Sequence, residues 1–280
     1  MVPGPPRRRD QILPVEYPQP FVHLTYATDI LFLEVTGYDD RGQSVSYLKC
    51  QVTGYRFSRY QGACGLRATL LRVEELLDIL DESGRPTGEV VPKSEAHRLG
   101  LWHRCFHCWI CGSEPGGSYL LLQRRAATKD TWPGYLDVTA AGHLAAGEET
   151  LDGLREVEEE LGLQVEPERL VPLGTRRVEQ EIPGGCDREF HDVFLLFDAT
   201  SPGDLRLQKE EVEAVFRLDL DDVEALYEEG SAPAREYAEG RTSATRIHLA
   251  EFVPKEEGYL RRVAGAARRH LSGAPSVPIF

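Results

Sequence analysis

The chain has 280 residues and a single methionine, at position 1. Long apolar runs are missing as well. No stretch approaches the ~20 consecutive apolar residues of a membrane helix, which excludes a helical membrane span. The opening residues, VPGPPRRRDQ after Met1, are rich in proline and arginine and lack the apolar core of a secretory leader. Positive charge is scarce: 32 Lys+Arg stand against 46 Asp+Glu, a net charge of −14. The deficit is uneven. The first 70 residues hold 8 basic and 6 acidic side chains, or +2, and the rest hold 24 and 40, or −16. An acidic body excludes nucleic acid as a polyanionic partner. It leaves a small phosphorylated substrate open, because a bound divalent ion reverses the local field. Internal repeats are absent. Cysteine is modest, at positions 50, 64, 105, 108, 111 and 186. Without a leader, reduced thiols in a cytoplasmic protein are expected. Hydrophobic residues make up 41%, enough for a sizeable core.

What the chain does have is a run of carboxylates in Gly142–Leu163, GHLAAGEETLDGLREVEEELGL. Glu156, Glu159 and Glu160 stand at i, i+3 and i+4, which puts them on one face of a helix. Like charges that close repel unless a cation sits among them. Mg²⁺ or Mn²⁺, hard and oxygen-loving, is the natural occupant. Gly142 and Gly147 permit a tight loop before the helix. Thr150 is the expected N-cap, Leu151, Leu154, Val157 and Leu161 the expected apolar stripe, and Gly162 the expected left-handed stop.

This stretch resembles the signature of the Nudix hydrolases, G-x5-E-x7-R-E-U-x-E-E-x-G-U with U aliphatic. Gly142, Glu148, Arg155, Glu156, Val157, Glu159, Glu160, Gly162 and Leu163 match in order, except that six residues rather than seven separate Glu148 from Arg155. The shortening falls where the helix starts, so it leaves the phase of Glu156, Glu159 and Glu160 alone and the direction of Glu148 open. The resemblance covers about 73–230 and implies an α+β fold, an α/β/α sandwich with a mixed sheet. It also implies metal-dependent hydrolysis of a diphosphate linkage in a small organic diphosphate. The metal set is Glu156, Glu159 and Glu160 with Gly142 and His143, and His103 and Glu148 as secondary members. Arg155 orients a glutamate, and the general base is left among Glu159, Glu189 and Glu211. Arg124 and Arg125, which follow a strand, carry the fork that suits a phosphate.

The flanks GRPTGEVVPKSEAHRLGLWHRCFHCWI, LLLQRRAATKDTWPGYLDVTAAGH and LQKEEV are similar to the branch of type 1 isopentenyl-diphosphate isomerase. Those isomerases hold a metal with histidines and glutamates outside the Nudix helix. His103, His143 and Glu189 match such positions. His97 lies near a third histidine position, one residue short in its spacing to His103, and Asp187 stands where another glutamate belongs. Ala141 replaces the catalytic cysteine that the isomerases carry before the Gly-His pair, so no thiol delivers a proton there. That favours hydrolysis over isomerisation. The alternatives are an isomerase-like enzyme and a non-catalytic ligand-binding module. Cys105, Cys108 and Cys111 have zinc-like spacing, but on a strand successive side chains alternate faces, which makes them packing residues. Trp132-Pro133-Gly134 reads as a rigid turn. Loops 126–137 and 180–188 are expected to set specificity. The oligomeric state is open, a homodimer being one reading.

Three parts are expected: an N-terminal extension at 1–72, the Nudix domain at 73–230 and a helical segment at 231–280. Residues 1–20 read as disordered, and 21–70 as a few strands with turns at 39–42. With one methionine and a valine at 73, the extension reads as a product of start-site choice. Further on, strands are expected near 76–81, 89–93, 101–111, 119–125, 170–179, 189–198 and 212–218. Helices are expected from a Ser94 cap through His97, at 220–229 and at 256–270, with Tyr259, Leu260, Val263 and Ala267 facing the core.

Overall fold

The computed structural model describes the backbone of five strands between residues 21 and 72, and residues 74–254 and 258–280 throughout. The chain divides into two units, Met1–Glu74 and Glu75–Phe280. In the first unit, β1 (Phe21–Ala27), β2 (Ile30–Tyr38) and β3 (Ser44–Gln51) form an antiparallel sheet, and β4 (Tyr55–Phe57) pairs with β5 (Leu70–Arg72). The expectations of disorder at 1–20 and of turns at 39–42 fall outside the described residues.

The second unit is built on one large sheet. It starts with the hairpin β6 (Leu76–Leu80) and β7 (Pro86–Pro92), then α1 (Lys93–Leu99). The long strands β8 (Trp102–Glu114) and β9 (Gly117–Arg125) follow, then two short ones, β10 (Leu136–Asp137) and β11 (Ala140–His143). A 3₁₀ turn, Thr150–Leu154, leads into α2 (Arg155–Leu161). After it come β12 (Leu170–Ile182), β13 (Gly185–Phe197), β14 (Val212–Asp219) and α3 (Val223–Glu228). The chain closes with β15 (Ser231–Ala238), β16 (Arg241–His248) and α4 (Tyr259–Leu271). The main strand order is β12-β13-β8-β9-β14-β15-β16. β13 runs parallel to β8 and the other neighbours are antiparallel, so the sheet is mixed.

Both faces of the sheet are covered, which is why β8 and β9 read as nearly continuous apolar runs. Phe106, Cys108 and Ile110 pack with Val157 and Leu161 of α2. Trp109 and Cys111, pointing the other way, pack with Val223 and Leu226 of α3 and with Leu260, Val263 and Ala267 of α4. The result is the expected three-layer α+β sandwich. Cys108 and Cys111 thus lie on opposite faces, as strand alternation requires. Burial pushes both thiols up, Cys111 to about 12.

Three local expectations are corrected. Ser94 lies inside α1, whose cap position is Pro92 and has no side-chain cap bond. The helix at 220–229 opens with a 3₁₀ turn, Leu220–Asp222, before α3. The last fifty residues are not helical throughout, since β15 and β16 extend the sheet before α4. Among the described residues no helix is long and apolar enough to cross a membrane.

Candidate active site and metal centre

The carboxylate helix starts in an unexpected way. Thr150 is not its cap: Glu149 and Asp152 exchange bonds across the first turn, and the Thr150 hydroxyl donates to Asp192 Oδ2 at 2.8 Å. Leu151 is exposed, and Gly153 takes the buried place, where a Cβ would come 2.4 Å from Phe106 Cβ. The 3₁₀ winding also explains the shortened motif. At three residues per turn, five residues rotate through about 600°, which is what six α-helical residues rotate through. One residue fewer therefore delivers Arg155 and the glutamates at the phase the longer spacing gives.

Arg155 organises this end of the site. It donates to Glu148 through Nε (2.8 Å) and Nη2 (3.0 Å), to the His143 carbonyl (3.0 Å) and to Glu156. Glu159 Oε2 lies 3.5 Å away. Burial opposes its charge, and Glu148, Glu156 and Glu159 together outweigh that. Glu148 points at Arg155 and accepts from the Ala145 N–H (2.7 Å). Glu160 is buried and accepts from Gln123 Nε2 and the Ala141 N–H, each at 3.2 Å. A Cβ at Gly142 would fall 2.1 Å from Glu156 Cδ, so a side chain there would displace the Glu156 carboxylate. Burial, and then the neighbouring carboxylates, push Glu156 up to about 7 and Glu160 to about 8. A half-buried and a buried carboxylate that both resist ionising are donors of the kind a divalent cation satisfies.

A second cluster lies beside the first. His97 of α1, His103 of β8, His143 of β11 and Glu189 of β13 bring one donor atom each to within 4.8 Å of one another. The three ring centroids are 5.1, 5.2 and 5.3 Å apart. Glu189 Oε1 is 3.3 Å from His143 Nε2 and 3.5 Å from His103 Nε2. Asp187 Oδ1 stands 3.2 Å from His97 Nε2 at the edge. Burial lowers His97 to about 4 and His143 well below its ordinary value, so both present neutral, lone-pair-bearing rings. Burial also opposes charge on Glu189, but His191, His103 and His143 hold its carboxyl well below the usual range. Three imidazoles converging on one carboxylate are a donor set for a borderline transition ion such as Zn²⁺.

The other candidates scatter. Glu159 is on the same helix but half-exposed. Glu189, expected as a possible base, is in the imidazole cluster. Glu211 bonds Lys129. Arg124 and Arg125, expected at a phosphate, bond the loop that follows them, and Arg124 also reaches Glu251. Arg124 donates to the Gly134 carbonyl (3.0 Å) and Glu251 (3.2 Å), and Arg125 to Asp137 (3.2 Å) and the Thr131 carbonyl (2.9 Å). That loop includes Trp132 at φ 50°, a left-handed conformation rare for a bulky residue. Four residues escaped the sequence. Glu75 lies 3.6 Å from Lys93 and 4.0 Å from both His143 and Arg155. Gln123 is a lone polar residue in the LLLQRR strand, which was its only signal. Lys129 and His191 had none.

With the geometry in view, comparison with known proteins is direct. The family model described as NUDIX domain matches residues 101–239. An uncharacterised Nudix hydrolase of Clostridium acetobutylicum is 33% identical over 201 residues, 69% of this chain and 97% of its own length. An isopentenyl-diphosphate Delta-isomerase of Cereibacter sphaeroides is 34% identical over 176 residues, 62% of this chain and 91% of its own. The crystal structure of a Deinococcus radiodurans protein, 20% identical, covers 56% of this chain and 91% of that one, with a TM-score of 0.44. The chain belongs to the Nudix family. Its relatives by sequence include both hydrolases and isopentenyl-diphosphate isomerases.

Proposed function

We propose that the protein is a divalent-metal-dependent hydrolase that cleaves the diphosphate linkage of a small organic diphosphate. The observation that carries this is the pair of half-buried Glu156, against Gly142, and buried Glu160, bonded to the Ala141 N–H, both pushed towards the neutral form. Glu156, Glu159 and Glu160 would hold Mg²⁺ or Mn²⁺, and His97, His103, His143 and Glu189 a transition ion. Bound there, such ions neutralise diphosphate charge and acidify a water. Arg155 fixes the Glu156 carboxylate by a charge-assisted bond and is itself fixed by Glu148 and the His143 carbonyl. Among the base candidates, Glu189 has both oxygens engaged and Glu211 is paired with Lys129. Glu159, half-exposed on the helix, is the reading we favour for taking a proton from water.

The test is a panel of organic diphosphates incubated with Mg²⁺ or Mn²⁺ and, in parallel, after chelation. Metal-dependent release of phosphate or a monophosphate supports the reading. Silence across the panel points to a ligand-binding module. The imidazole cluster favours one further reading, an isomerase-like enzyme, against which Ala141 argues because it offers no thiol. Conversion of isopentenyl diphosphate to its allylic isomer would establish that reading.

A further inference from the structure

Behind the imidazole cluster, a row of polar side chains runs into the core. β8 carries His103, Cys105, His107 and Trp109 on one face, β13 carries Glu189 and His191, and β12 puts Arg176 directly opposite His191. His107, Trp109, Arg176, His191 and Tyr259 are all buried. Burying this many polar groups costs stability unless each is bonded, and apolar residues would fill the space more cheaply. Most of the row is bonded or ring-stacked. The Trp109 indole N–H donates to the Tyr259 hydroxyl (3.0 Å), which lies 3.1 Å from His107 Nδ1. His107 stacks on His191 with ring centroids 3.9 Å apart. The Arg176 guanidinium lies 3.9 Å over the Tyr259 ring.

The polarity of this row follows from its donors. Arginine has no acceptor. His191 Nδ1, 3.4 Å from Arg176 Nη1, is therefore the unprotonated nitrogen of its ring. The proton sits on Nε2, which is 2.5 Å from Glu189 Oε2 and donates to it. Glu189 Oε1 is left facing His143 and His103, with the Cys105 thiol donating to it at 3.2 Å. We propose that His191 and Arg176 are positioning residues: Arg176 sets the tautomer of His191, and His191 turns Glu189 so that one oxygen faces the three imidazoles. This rests on reading that cluster as a metal site. An ionic ligand held through its second oxygen by an imidazole is an outer-sphere arrangement of the kind that tunes metal affinity.

The probe is Co²⁺ alone, titrated into the metal-free full chain and followed by its visible absorption and by calorimetry. His191→Leu should weaken Co²⁺ binding about 10–100-fold. His191→Gln, whose amide nitrogen takes the place of Nε2, should keep most of the affinity. Undiminished affinity in His191→Leu, or a Gln variant no better than Leu, overturns the positioning role while leaving the cluster a metal site. His103→Ala separates the two ideas: if it binds Co²⁺ as tightly as the wild type, the cluster reading fails and this inference with it. Should His191→Leu lose its fold, ¹⁵N–¹H correlation of the wild-type imidazoles decides. A neutral ring protonated at Nε2 is expected for His191, and a proton on Nδ1 overturns the proposal.

Discussion

The carboxylate face of α2 and the imidazole cluster beside it are made of opposite materials, yet burial treats them alike. Burial disfavours charge. It pushes Glu156 and Glu160 up to about 7 and 8, and it pushes His97 down to about 4 and His143 well below its ordinary value. The two carboxylates and two of the three imidazoles are thereby brought towards neutrality near pH 7, while Glu189 keeps its charge among the histidines. Their appetites differ. Glutamate oxygens suit a hard ion, and imidazoles with one carboxylate suit a borderline one. His143 joins the two, its carbonyl accepting from Arg155 and its ring standing among the other imidazoles. Under the proposed function, a hard and a borderline ion would be told apart by donor chemistry on the two sides of His143.

The comparison breaks most visibly at the carboxylates. Glu156→Gln or Glu160→Gln should lower Mg²⁺-dependent turnover on the order of 10³-fold, since several kcal/mol of charge stabilisation goes with the ligand. Circular dichroism should show the fold kept. Gly142→Ala should act in the same direction by displacing the Glu156 carboxylate. Arg155→Lys comes next. It keeps the charge but loses the fork that bridges Glu148, Glu156 and the His143 carbonyl, and a misplaced carboxylate should cost roughly 10²-fold in kcat. Glu189→Gln should weaken Co²⁺ binding while leaving the Mg²⁺ dependence of hydrolysis nearer wild type than Glu160→Gln does. Equal damage in both assays would mean the two clusters are one site.

Two smaller effects sharpen it. Glu156 and Glu160 have folded pKa values above the unfolded 4.5, so the folded state holds their protons longer. Their contribution is full below about 4.5 and is lost as pH rises through about 7 to 8. The Tm of the metal-free protein should therefore fall from pH 6.5 to 8.5, a range above the unfolded histidine pKa. Glu160→Gln should flatten that slope, and saturating Mg²⁺ should reverse it. A slope unchanged by Glu160→Gln would remove the repulsion argument. Thr150→Ala is the smallest change. It removes one bond to Asp192, which keeps those from Arg104 and Thr175. The expected loss is about 1 kcal/mol, read as a drop of a few degrees in Tm.

The helix was legible in the sequence because its chemistry is local: charges at i, i+3 and i+4 leave a pattern within one turn. The imidazole cluster was legible only in part. Its ligands come from α1, β8, β11 and β13, and nothing in the spacing of His97 says that α1 carries it back to His143. Glu75, Gln123 and Lys129 are single polar residues whose partners are distant in sequence. The intrachain partners of Arg124 and Arg125 were hidden for the same reason. Arginine suits a phosphate, but the partners that these two bond, Gly134, Glu251, Asp137 and Thr131, become neighbours only on folding. The hairpin β15–β16 hid because ARG-rich polar strands such as RTSATRIH, mostly exposed, carry no alternation to read.

The 3₁₀ turn before α2 has a consequence for how motifs are spelled. What an ion among Glu156, Glu159 and Glu160 requires is a direction in space, and a direction is set by accumulated winding. Residue count is only a proxy for winding, valid while every turn has the same pitch. A tighter turn writes the same direction in fewer letters. A pattern that counts seven positions would pass over this chain, while one that counted angle would find it in register.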